Sequence, residues 1–149
     1  MAHSYRQGVF RPRNKEKYKG NVTNIIYRSG WELKYMVYLD KHPDVLKWSS
    51  EELVVPYISP VDGRMHRYFP DFIVWLRTPN GPKTLMIEVK PKTQTQEPKI
   101  QKRITESYVR KVMTYGVNQA KWKAAEEFCK DKGWEFTIMT EDELFSKSV

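Results

Sequence analysis

Apolar residues first recur at helical spacing over residues 30–42, where Trp31, Tyr35, Met36, Tyr38 and Leu39 form one stripe. Ser29 stands ahead of the stripe and Pro43 follows it, so the pattern predicts a helix with a defined start and stop. Ser29 and Glu32 also fit the S-x-x-E capping box, in which a hydroxyl and a carboxylate each satisfy an orphan amide of the first turn. A β-rich block follows at 53–59, 67–77 and 84–90, separated by the breaker clusters Pro60-Val61-Asp62-Gly63 and Thr78-Pro79-Asn80-Gly81-Pro82. These read as three antiparallel strands, with the second and third joined tightly.

Pro91 cannot donate to a sheet, and the polar run 92–98 has no period, so an exposed loop is expected there. Helical patterning returns loosely over 100–115 and more firmly over 119–132, with Asn118 as the cap, Gly133 as the stop, and Trp122, Ala125, Phe128 and Cys129 as the buried stripe. Residues 134–139 alternate as a last strand, and Thr140 with Glu143 forms a second capping box for a short terminal helix. The order α-β-β-β-α-β implies an α/β domain with a mixed central sheet flanked by helices. No repeat or internal linker divides it.

Ahead of this domain, residues 1–21 carry Arg6, Arg11, Arg13, Lys15, Lys17 and Lys19 against Glu16 and read as a basic arm, leaving 22–149 as the single domain. The 149 residues are 40% hydrophobic, and five Trp, nine Tyr and six Phe are enough to fill one core without disulfides. Cys129, the sole cysteine, has no internal partner. With no apolar run of ~18 residues and no leader pattern, neither a membrane span nor export is expected. The net charge of +8 favours a polyanionic partner, nucleic acid first.

Candidate chemistry begins with Pro70-Asp71, followed seventeen residues after the aspartate by Glu88-Val89-Lys90, each half in a predicted strand. Alternation puts Glu88 and Lys90 on one face, and an adjacent strand can bring Asp71 to it. Two carboxylates so placed repel unless a cation lies between them. Oxygen ligands without His or Cys favour a hard ion, Mg2+ or in its place Mn2+, with the Val89 carbonyl as a further ligand. Such an ion activates water and stabilises charge on a phosphodiester, while Lys90 either orients and deprotonates the water or stabilises the developing charge. The competing reading is a solvated sheet face with cross-strand salt bridges. His3, His42 and His66 are scattered without metal-ligand spacing, and no G-x-G-x-x-G, Walker or G-x-S-x-G pattern is present.

Tyr27-Arg28-Ser29-Gly30-Trp31-Glu32, Pro70-Asp71-Phe72 and Glu88-Val89-Lys90 together resemble the PD-(D/E)xK nuclease superfamily, whose core is restriction-endonuclease-like. That resemblance implies that Glu32 joins Asp71, Glu88 and Lys90 as a fourth catalytic residue, beside its capping role. More narrowly, the Tyr27-Arg28-Ser29-Gly30-Trp31-Glu32 start, the Arg67-Tyr68-Phe69 approach to Asp71, Glu88-Val89-Lys90-Pro91-Lys92 and residues 118–125 resemble the head-completion nucleases of tailed, T4-like phages, a similarity that covers residues 10–145. The narrower resemblance implies DNA as substrate, portal or head–tail connector proteins as partners, and the host cytoplasm or the virion as the place of action. Arg28 and Lys92 flank the site as candidate DNA contacts, and Asn118, Gln119 and Lys121 do so from the later helix, surface pairing and helix capping being the alternatives. A non-catalytic head–tail joining protein and a junction-resolving endonuclease are the rival functions.

Overall fold

Strand alternation divides the apolar residues between two faces of one sheet. The computed structural model describes residues 7–145, so the expectations for His3 and Arg6 lie outside the described residues. In chain order the elements are β1 (Gly8–Val9), β2 (Ile26–Tyr27), α1 (Gly30–Lys41), β3 (Val45–Ser50), β4 (Val55–Ile58), β5 (Met65–Tyr68), β6 (Phe72–Thr78), β7 (Gly81–Val89), α2 (Glu106–Lys132), β8 (Glu135–Met139) and α3 (Glu141–Leu144). The central sheet runs β3-β6-β7-β8, and it is mixed: β3, β6 and β7 pair antiparallel, while β8 lies parallel to β7. The long crossover that a parallel pair requires is supplied by α2. β1–β2 and β4–β5 are separate two-stranded ribbons.

Phe72, Val74 and Ile87 face a core completed by Trp31, Tyr35, Met36 and Leu39 of α1. Ile73 and Met86, one residue out of phase, face a second core completed by Trp122, Ala125 and Cys129 of α2 and by Val55, Tyr57 and Tyr68 of the ribbon. The result is three layers, α1 on one face and α2 with β4–β5 on the other. α1 begins as expected, with the Ser29 hydroxyl accepting from the Glu32 amide, although the Glu32 carboxylate accepts from the Arg28 amide at 3.1 Å. Gly133 ends α2 at φ 73°, donating to the Cys129 and Lys130 carbonyls, a left-handed stop that suits glycine. Among the described residues, no helix is long and apolar enough to cross a membrane.

The mixed sheet flanked by helices is as expected, with several differences in detail. The strand expected at 67–77 is two strands, β5 and β6, broken where the chain passes from the ribbon into the central sheet. The strand expected at 53–59 pairs only with β5. β3 has no counterpart in the sequence pattern, and it forms the sheet edge beside β6. The two helices expected at 100–115 and 119–132 are one helix of 27 residues, and residues 100–105 precede it outside any helix.

The described part of the basic segment, 7–21, is fastened to the domain. Phe10 and Tyr18 are buried against Trp48, with ring centroids 5.9 and 4.8 Å away. The buried Asp40 carboxylate accepts from the Arg13 and Asn14 amides, and the Lys17 ammonium donates to the Asp40 and His42 carbonyls. Lys17 thereby satisfies carbonyls left open at the C-terminus of α1, where a cation also meets the negative end of the helix dipole.

Candidate active site

Antiparallel register gathers the acids at one end of the sheet. Phe72 pairs with Ile87 across β6–β7 and with Ser50 across β3–β6, so Asp71, the residue before β6, lies between the ends of its two neighbours. Its carboxylate accepts from the Val89 amide at 2.7 Å, and its carbonyl accepts from the Glu51 amide at 3.2 Å. Glu32 arrives from the first turn of α1. Oxygens of Glu32, Glu51 and Asp71 lie within 4.8 Å of one another.

Glu88 is 6% exposed and does not belong to that trio. The Tyr68 hydroxyl donates to its Oε1 at 2.5 Å, and the Lys90 ammonium lies 3.4 Å from its Oε2. Glu88 and Lys90 thus share a face as their spacing requires, with Asp71 close enough to feel both charges. Burial, then the charges of Glu88 and Glu32, push the Asp71 carboxyl well above the ordinary carboxylate range, against the Val89 amide and Lys90 that pull it down. Burial and then Glu51 raise Glu32, opposed by the Arg28 amide, the Arg28 charge and the Ser29 hydroxyl. Both acids therefore sit in an excess of negative charge, and hard oxygen donors so arranged fit a divalent cation.

Sequence patterning gives no sign of Glu51. It follows β3 directly and is the one non-glycine residue at positive φ among the described residues, at 54°. Such a conformation costs of order 1 kcal/mol or more and persists only where surrounding structure holds it. Here the bracing is visible: the Tyr18 hydroxyl accepts from the Ser50 amide at 3.1 Å and donates to Glu52 at 2.7 Å, and Glu52 also accepts from the Asn21 amide. Arg28 grips the Glu51 carboxylate in bidentate fashion, at 3.0 and 2.9 Å. Tyr68 is a second site residue, part of the Arg67-Tyr68-Phe69 approach to Asp71, to which the sequence pattern gives no role.

The remaining candidates divide. Arg28 is at the acidic cluster, through Glu51. Lys92 turns away: its amide donates to Glu141 at 2.8 Å and its ammonium pairs with Asp142 at 3.2 Å, both on α3. Asn118, Gln119 and Lys121 lie inside α2 rather than at its start, so their amides are spent within the helix and no cap is formed. Lys121 nevertheless reaches the site's edge, its ammonium 5.7 Å from the Tyr68 ring centre and 5.9 Å from that of Tyr57. Gln119 is exposed and Asn118 is buried.

Residues 42–141 match the family described as TnsA-like endonuclease N terminal, a span that contains Glu51, Asp71, Glu88 and Lys90. The head completion nuclease of Enterobacteria phage T4 is 38% identical over 148 residues, which cover 97% of this chain and 95% of that protein. Sequence likeness of this extent, on a sheet that brings an acid cluster to the ends of β3, β6 and β7, establishes that the chain belongs to the TnsA-like N-terminal endonuclease family and is a homologue of the T4 head completion nuclease.

Proposed function

We propose that the protein is a divalent-metal-dependent DNA endonuclease that acts in phage head completion, cutting DNA before head and tail join. The observation that carries this is the trio Glu32, Glu51 and Asp71, its oxygens within 4.8 Å of one another, beside the Glu88–Lys90 pair. Glu32, Glu51 and Asp71 are the residues that would hold the ion, Mg2+ or in its place Mn2+. When bound, it supplies Lewis-acid charge at a phosphodiester. Lys90 is ion-paired with Glu88 and on this reading acts as a fixed positive charge toward the attacked phosphate, a pairing that supports charge stabilisation over proton removal. Arg28 borders the trio through Glu51, and its planar fork suits a neighbouring DNA phosphate as well as it suits that carboxylate. The +8 net charge supports DNA as the partner. The place of action on this reading is the host cytoplasm during assembly, at the portal or head–tail connector.

Incubation with supercoiled, linear and branched DNA tests this, with and without Mg2+. Nicking of the plasmid only with the cation, lost in Lys90→Ala, is the expected result. Salt-sensitive binding without cleavage in either cation would mark a joining protein instead, and strong preference for four-way junctions would mark a resolvase.

Tyr68 serves as a positioning residue for Glu88. Tyr68→Phe removes a hydrogen bond to a charged acceptor, and cleavage should slow by about tenfold. Calorimetric cation affinity should stay unchanged, since Tyr68 touches none of the trio. A variant with full activity would remove Tyr68 from the site.

A further inference from the structure

A groove of about 710 Å³ opens between residues 93–101 and the first half of α2. Gln94, Lys99, Arg110, Lys111, Tyr115 and Asn118 are among its lining residues. Its outer wall leaves β7 directly after Lys90, through Lys92. Its inner end, at Asn118, lies one helical turn before Trp122, which packs in the same core as Tyr68, the donor to Glu88. The groove thus runs along the part of α2 that leads to Lys121 and Trp122, the residues by which this helix meets Tyr68.

We propose that this groove takes an unpaired DNA strand next to the cleavage point, so that the preferred substrate is a duplex bearing a single-stranded end or branch. The inference rests on the nuclease reading above and narrows its substrate. Its first support is charge: Lys99, Arg110 and Lys111 face one acid of the lining, Glu97, and exposed Lys102 and Arg103 continue the basic track. Cations alone would suit duplex phosphates equally well. Tyr115 and the amides point further, because an aromatic face stacks bases and an amide pairs with base edges, both of which are open to a groove wall only when the strand is unpaired.

Asn118 adds a polar group at the inner end of the groove. It is 7% exposed, it lines the groove, and its side chain makes no hydrogen bond among the described residues. Its carboxamide keeps access to solvent there, and it is complemented by a ligand that offers both a donor and an acceptor. A base edge does so and a phosphate does not. The volume accommodates on the order of one or two nucleotides, judged by the usual size of small-molecule sites.

The test uses the full chain carrying Lys90→Ala, so that probes survive, and two fluorescein-labelled duplexes of equal length, one blunt and one forked. Fluorescence anisotropy should show the fork bound about tenfold more tightly, the value of roughly one stacked base. Adding Tyr115→Ala, or Arg110→Glu with Lys111→Glu on the exposed face, should collapse that preference to about twofold. Equal affinity for both probes, a preference that survives both variants, or a proportional loss on both probes overturns the proposal. The unmodified protein is then given the same duplexes with Mg2+ or Mn2+. Cleavage of blunt and forked DNA at equal rates overturns the strand proposal and leaves the nuclease intact, whereas no cleavage of either duplex overturns the nuclease reading itself.

Discussion

Asp71→Asn should make the metal-free protein more stable and the enzyme inert. The Asp71 carboxyl holds its proton more tightly in the folded chain than in the unfolded one, because burial and the charges of Glu88 and Glu32 oppose its ionisation. A group raised in this way favours folding at low pH, where it is protonated. That contribution is lost as pH rises from the ordinary carboxyl value through the raised one. Above the ordinary carboxyl value the wild type increasingly bears that penalty, and the amide, which does not ionise, never does. The carboxamide oxygen of the Asp71→Asn variant still accepts from the Val89 amide, so that contact is kept, and only the weaker attraction of Lys90 is lost. Every tenfold gain in proton affinity on folding corresponds to about 1.4 kcal/mol, and 1 kcal/mol moves Tm by roughly 2–4 °C in a chain of this size. The metal-free variant is therefore expected to melt above the wild type in scans at pH 8 with chelator. Mg2+ should raise the Tm of the wild type and leave the variant unmoved, while cleavage drops by about 10²–10³-fold or more. A metal-free variant that melts below the wild type, or still cuts, contradicts the assignment.

Lys90→Ala should show the opposite pattern in two of the three readouts. Glu88 is buried and keeps only the Tyr68 hydroxyl once its ammonium partner is gone, so the metal-free variant should lose about 1–3 kcal/mol of stability. Cation affinity should hold or rise, because a positive charge has been taken from beside the acid trio. Activity should fall by about 10²–10³-fold, the loss expected when one fixed charge at the reacting phosphate is deleted. Chemical denaturation, calorimetry with Mn2+ and plasmid nicking measure the three separately. A variant that loses cation affinity in step with activity would make Lys90 an organiser of the acids instead.

The legible parts of this site are those carried by local pattern. Period-two alternation places Glu88 with Lys90, and the capped apolar stripe places Glu32 on the first turn of α1. Glu51 is invisible because β3 does not alternate: Val45, Trp48, Ser49 and Ser50 are all buried, and serines so close to Glu51 and Glu52 look like a surface loop. Their burial is decided by β6 on one side and by Tyr18 above, contacts far away in sequence. Composition misleads at the N-terminus, where Phe10 and Tyr18 are two anchors among many cations. In α2, Asn118 looks like the cap of a second helix, yet it and Gly116 lie within one continuous helix. Packing of Trp122, Ala125 and Cys129 against the sheet outweighs a glycine cost of about 1 kcal/mol.

The parallel pairing of β8 with β7 also sets a schedule. Val89 is partnered by Met139, and the Lys90 amide donates to the Met139 carbonyl at 3.0 Å. A nascent polypeptide that has emerged only as far as α2 already carries every charged group of the reaction centre, but the strand bearing two of them is still a raw edge. β7 thus gains its second neighbour only with β8, the last strand of the sheet in chain order, and the edge beside the Glu88–Lys90 pair closes last.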